Sequence, residues 1–92
     1  MSGVFEYDFN KSNSNKEKHG IDFEEAQRIW EDSFAITVPT QRVEEVRFII
    51  VGMIAKKTWS AIFTMRQDKI RIISARRSRT EEVYHYEKNK SQ

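Results

Sequence analysis

Apolar and polar positions change period several times along the chain, and each change predicts an element. Val4 to Tyr7 alternates apolar with charged residues, the pattern of a short strand. From Asp8 to His19 the chain is rich in Asn, Ser and Lys, which are mediocre helix formers. The ends of that segment are nevertheless marked as helical. Asp8 or Asn10 suits the N-cap, Lys16 and Lys18 suit the negative end of the helix dipole, and Gly20 suits the stop. Asp22 and Glu25 then stand at capping-box spacing. Phe23, Ala26 and Trp30, with Ile29 beside Trp30, make an apolar stripe that predicts a second helix ending near Asp32.

Beyond Asp32 the period falls to two. Ala35 to Val38 predicts a short strand closed by Pro39 and a polar loop. Glu45 to Met53 predicts a longer one, with Gly52 marking a bulge. Ala55-Lys56-Lys57 turns the chain into a strand from Thr58 to Arg66, and Gln67-Asp68 is a tight hairpin connection into Lys69 to Arg77. Trp59, Ala61, Phe63 and Met65 share one face of their strand, and Ser60, Ile62, Thr64 and Arg66 share the other. One side of the sheet is thus a core against the helices, and the other is less apolar and open as a groove. The last strand has no clear phase, because Ile70, Ile72, Ser74 and Arg76 oppose Arg71, Ile73, Ala75 and Arg77. Ser78 with Glu81 predicts a terminal helix from Arg79 to about Lys88, docked through Val83 and Tyr86. The sum is one α+β domain over residues 1–92. Two N-terminal helices pack on an antiparallel sheet of about four or five strands, followed by a C-terminal helix.

Charge sharpens this picture. The net charge of +2 hides a segregation: residues 56–79 hold Lys56, Lys57, Arg66, Lys69, Arg71, Arg76, Arg77 and Arg79 against Asp68 alone. Residues 22–32 hold Asp22, Glu24, Glu25, Glu31 and Asp32 against Arg28. Such a basic zone steers an anionic partner, nucleic acid being the commonest, although strand arginines also protect a sheet edge from aggregation. No apolar run approaches the ~18 residues that cross a bilayer, and no basic-then-apolar leader stands at the N-terminus. The expectation is a protein without membrane contact. Zero cysteines exclude disulfides and thiolate metal sites and are compatible with a reducing cytoplasm.

Candidate chemistry narrows to arginine. The histidines, His19 and His85, lack carboxylates at ligand spacing, so no metal site is expected. The glycines, Gly3, Gly20 and Gly52, form no phosphate loop, and no nucleophile motif is present. Arg47, Arg66 and Arg76 come from three predicted strands that neighbour one another, so together they could clamp a phosphodiester and stabilise charge developing on it. An RNA strand brings its own 2′-hydroxyl nucleophile, so no cofactor is required. Arginine is too basic to accept the proton, which leaves Glu45, Tyr86 and Lys18 as candidates. The competing expectation is that these arginines form structural ion pairs with Glu44, Glu45, Glu81 and Glu82. Trp30 and Trp59 fall on apolar stripes and are expected in the core.

The order of motifs resembles the BrnT toxin family, the toxin half of bacterial type II toxin–antitoxin pairs, with a RelE-like fold. The matching pieces are Phe5-Glu6-Tyr7-Asp8, Asn15 with Lys18-His19-Gly20-Ile21, Phe23-Glu24-Glu25-Ala26 and Asp32. They continue through Arg47-Phe48, Gly52, Arg66 and the Arg71 to Arg77 run to Glu81 or Glu82 before Tyr86. Two departures stand out: the aromatic at Tyr7 is more often tryptophan in the family, and Glu45-Val46-Arg47 replaces a tighter Glu-Arg pair. The resemblance implies a cytoplasmic, metal-independent endoribonuclease that blocks translation. It also implies a BrnA-like ribbon-helix-helix antitoxin that neutralises the toxin and carries the complex to operator DNA. By position it implies Arg47, Arg66 and Arg76 as catalytic residues, with Arg71 and Arg77 as RNA contacts whose direction the phase of their strand leaves open. Lys69 and Lys57 of the basic zone are further RNA-binding candidates.

Overall fold

The structure is a computed structural model that describes residues 4–40 and 45–92. Strand β1 (Phe5–Glu6) leads into helix α1 (Phe9–His19) and a single α-turn, α2 (Phe23–Ala26), which continues as a 3-10 turn over Gln27–Glu31. Strands β2 (Ile36–Pro39), β3 (Phe48–Ile54), β4 (Lys57–Arg66) and β5 (Lys69–Arg77) follow, and helix α3 (Thr80–Lys90) closes the chain. One five-stranded sheet runs in the order β1-β5-β4-β3-β2. The architecture is the α+β arrangement expected from the sequence. The sheet is mixed, because β1 runs parallel to β5 while every other pair is antiparallel.

Helix α1 forms despite its poor composition because both ends and its inner face are tied by polar groups. The Asp8 carboxylate accepts from the N–H groups of Asn10 and Lys11 at 2.8 and 3.1 Å. Gly20 ends the helix at φ 82°, and Lys16, Lys18 and His19 occupy its last turn. Its buried residues are Ser12 and Asn15, and Ser12 Oγ accepts from the Phe23 N–H at 2.9 Å. Asp22 and Glu25 make the expected capping box, at 2.7 and 2.9 Å. The predicted second helix then tightens into the 3-10 turn. Phe23, Ala26 and Ile29, all buried, are spaced by three, the period that a 3-10 turn brings onto one face.

Two irregularities differ from the sequence expectation. Gly52 makes no bulge, since β3 pairs without interruption with β4 and Gly52 sits opposite Trp59. Its role is close approach: a Cβ there would lie 3.0 Å from Ile29 Cγ2 and 3.1 Å from the Ile29 carbonyl. The bulge falls instead on β5, where Ile62 pairs with Ser74 but Phe63 pairs with Ile72, leaving Ile73 as the extra residue. That slip settles the phase of β5. Ile70, Ile72, Ala75 and Arg77 follow the Phe63 face, while Lys69, Arg71, Ser74 and Arg76 all follow the Arg66 face.

The core lies between the helical layer and the first of these faces. Ile21, Phe23, Ala26 and Ile29 pack on Ile50, Ala61, Phe63, Ile72 and Ala75. Trp30 packs edge-on between Phe5 and Phe63, with ring centroids at 5.0 and 5.2 Å, and Trp59 is partly buried against the same cluster. The opposite face is covered at one end by α3, where Tyr86 is buried and Glu82 bonds to the buried Ser60. The other end of that face is open. The predicted strand from Glu45 begins only at Phe48, and the cap of α3 is displaced by one residue. Glu82 accepts the Arg79 N–H at 2.9 Å, whereas Ser78 Oγ shares a 2.8 Å bond with Ser60 Oγ.

Candidate functional site

The open end of the second face carries the basic side chains. On it Thr64 sits opposite Arg71 and Arg66 opposite Lys69, so alternation brings two arginines onto one side of a two-strand ribbon. Arg47 arrives from the segment before β3, which is pinned where Thr64 Oγ1 donates to the Val46 carbonyl at 2.7 Å. Arg47, Arg66 and Arg71, joined by Lys11 from α1, surround a pocket of about 160 Å³ with Thr64 and Ile73 in its wall.

Two carboxylates adjoin these four cations. Glu45 accepts from Arg47 Nε at 2.7 Å, and Glu6 lies 3.4 Å from Arg71 and 3.7 Å from Arg66. The second contact is too long for a well-formed hydrogen bond. The pocket therefore keeps a positive excess, with guanidinium donors facing an opening that fits an oxyanion.

Arg76 does not join this pocket, contrary to the expectation that Arg47, Arg66 and Arg76 converge. It shares their face, but it pairs with Ser60, six positions along β4 from Arg66. At ~3.3 Å per residue that is roughly 20 Å. There it makes a two-pronged contact with Glu82, at 2.8 and 2.9 Å. Burial pushes the Glu82 carboxyl up, but hydrogen bonds from Arg76, the Arg79 N–H and Ser60 outweigh it and bring it down to about 2. Two of the anticipated ion pairs thus exist, Arg47 with Glu45 and Arg76 with Glu82. Glu44 lies outside the described residues.

The remaining candidates scatter. Tyr86 is a tether, its hydroxyl donating to Asp32 Oδ2 at 2.5 Å, and burial followed by that bond raises the phenol well above its usual range. It lies away from the basic pocket. Asp32 also accepts from the Met53 N–H at 2.8 Å and the Phe34 N–H at 2.9 Å. Lys57 opens β4 opposite Ile54, at the far end of that strand from Arg66. Arg77 turns to the other face and covers the Trp59 ring, 5.4 Å from its centroid. Lys18 lines a neighbouring pocket, described below. Sequence reasoning missed Lys11 and Glu6. Glu6 reaches Arg71 only through the parallel β1–β5 pairing, across 65 positions, and no local pattern announces such a contact. Among the described residues, no group of three His, Asp or Glu side chains stands where it could hold a metal ion.

A family model described as "Ribonuclease toxin, BrnT, of type II toxin-antitoxin system" matches residues 7–82. No curated protein matches the chain.

Proposed function

Because the chain belongs to the BrnT family of ribonuclease toxins of type II toxin–antitoxin systems, we propose that its Arg47–Arg66–Arg71 pocket holds the scissile phosphate of an RNA. Membership makes RNA the target class and an antitoxin the partner class. The observation that carries the finer reading is the meeting of three guanidinium groups and Lys11 around one opening.

In this reading the RNA 2′-hydroxyl attacks the adjacent phosphorus, forming the 2′-O–P bond and breaking the P–O5′ bond, and the leaving 5′-oxygen takes up a proton from water. The products are a 2′,3′-cyclic phosphate and a 5′-hydroxyl. Charge builds on the non-bridging oxygens as the bond order changes, and preorganised guanidinium groups stabilise it more than they stabilise the ground state. Glu45 is the carboxylate in the pocket and takes the 2′-hydroxyl proton. Lys18 lies one pocket away, and Tyr86 is engaged with Asp32. Arg76 faces the same side of the sheet and would meet the RNA farther along its path, sharing its charge with Glu82. The reaction needs no metal, and cutting RNA blocks translation. A BrnA-like ribbon-helix-helix antitoxin neutralises the toxin, and the pair reaches operator DNA through the antitoxin.

Incubation of the purified chain with RNA in excess EDTA, followed by end-group analysis, tests this. Cyclic phosphate and 5′-hydroxyl ends are expected. Binding without cleavage would instead make the groove a non-catalytic nucleic-acid module, and loss of cleavage only with EDTA would require a metal.

A further inference from the structure

A second opening adjoins the basic pocket and shares two of its walls, Lys11 and Ile73. Its volume is about 230 Å³, and it lies between the outer side of α1 and β5. Ser14, Lys18 and His19 face it from α1, and Ser74 faces it from β5. Among the described residues, none of these four side chains makes a hydrogen bond or an ion pair. Asn15 also borders it, but its amide is committed to the backbone of Ile21 and Ala75, so it fixes the wall rather than offering donors.

This opening differs in kind from the first. The arginine pocket is dominated by charge and suits a phosphate oxygen. The second presents hydroxyls, an imidazole and the ammonium groups of Lys18 and the shared Lys11, with the Phe23 and Ile73 side chains behind them. Hydroxyl and imidazole groups beside apolar surface suit the edge and face of a planar heterocycle. Proteins that read single-stranded RNA hold unstacked bases in this way.

Resting on the reading of the first pocket, we propose that the second one seats the nucleobase next to the cleaved phosphate. Ser14 and His19 then read its edge and set the sequence preference of cleavage. The αL turn at Gly20 ends α1 immediately after His19, which leaves the imidazole on the final helical turn beside the opening.

The test is to map cut sites of wild type, Ser14→Ala and His19→Ala on one mixed-sequence RNA. In parallel, 2′-O-methyl oligonucleotides of each base, which cannot be cleaved, are titrated with the same proteins. Ser14 and His19 are exposed, so circular dichroism is expected to be unchanged by the substitutions. The expected result is a wild-type preference at the base flanking the cut, reduced about 5- to 10-fold in at least one variant, the size of one lost base contact. The same change should appear in the oligonucleotide affinities. Identical cut-site distributions and identical base preferences in all three proteins would overturn the proposal. Failure of the first reading looks different: Arg66→Ala would then cleave like wild type while the base preferences still changed.

Discussion

Asn15 on α1 and Ala75 on β5, sixty positions apart, join as neighbouring strands do. Asn15 Nδ2 donates to the Ala75 carbonyl at 2.8 Å, and its Oδ1 accepts the Ala75 N–H at 3.3 Å. Strand β1 pairs with β5 only at Ile70 and Arg71, so beyond that point the β5 edge has no strand partner. A side-chain amide supplies one, and the same Nδ2 donates to the Ile21 carbonyl at 2.8 Å.

Replacing Asn15 by leucine leaves these buried backbone groups unpaired. Lost hydrogen bonds at ~1 kcal/mol each, with the penalty for unsatisfied groups, predict a loss of about 2–4 kcal/mol. Urea unfolding followed by tryptophan fluorescence measures it. An unchanged midpoint would show that the amide pairing is not needed to hold α1 on the sheet.

Gly52→Ala places a Cβ against Ile29 Cγ2, the Ile29 carbonyl and Ala35 Cβ at 3.0, 3.1 and 3.2 Å. The carbonyl belongs to the 3-10 turn and yields little, so a loss of about 1–3 kcal/mol is expected. Thermal unfolding should show a lowered Tm.

The Glu82 carboxyl titrates near 2 when folded, below its ordinary value of 4.5. A depressed folded pKa means stability that is present above 4.5 and lost as pH falls from there toward about 2. Its upper size is about 3 kcal/mol at ~1.4 kcal/mol per pH unit. Both partners are largely buried, with side chains 16% and 18% exposed, so little of this is screened away. Stability measured from pH 6 to pH 2 should therefore decline, and Glu82→Gln should be less stable at pH 6 with a shallower decline. Parallel curves would remove Glu82 as the source.

Salt should weaken RNA binding in proportion to the phosphates neutralised. On a single strand each neutralised phosphate adds ~0.7 to the slope of log affinity against log salt, so the one scissile phosphate held by Arg47, Arg66, Arg71 and Lys11 accounts for about 0.7 of it. Arg71→Ala should reduce the slope, by no more than about 0.7. A slope unaffected by that substitution would place the RNA elsewhere.

Much of the architecture is legible in the sequence because local rules govern it. Asp8, Gly20 and the Asp22–Glu25 box fix helix ends within a few residues, and the alternation from Trp59 to Arg66 sorts β4 into its two faces. The phase of β5 is not legible, because a bulge is decided by pairing with β4 rather than by β5 itself. Without the extra Ile73, Arg71 and Arg76 would lie on opposite faces. The site was legible in kind, as strand arginines, but not in membership. Arg71 replaces Arg76 at the pocket because register sets position along the strand, and Glu82 holds Arg76 at the other end. Lys11 enters through the docking of α1, which depends on contacts too distant in sequence for a pattern to reveal.

The most direct test of the three-arginine pocket is the single-turnover RNA cleavage rate of Arg66→Ala and Arg71→Ala, with Lys56→Ala at the remote hairpin tip as the control. Loss of a charge-stabilising group predicts rates about 100- to 1000-fold below wild type for both arginine variants and an unchanged rate for Lys56→Ala. Wild-type rates in both arginine variants, with their fold intact by circular dichroism, would contradict the account.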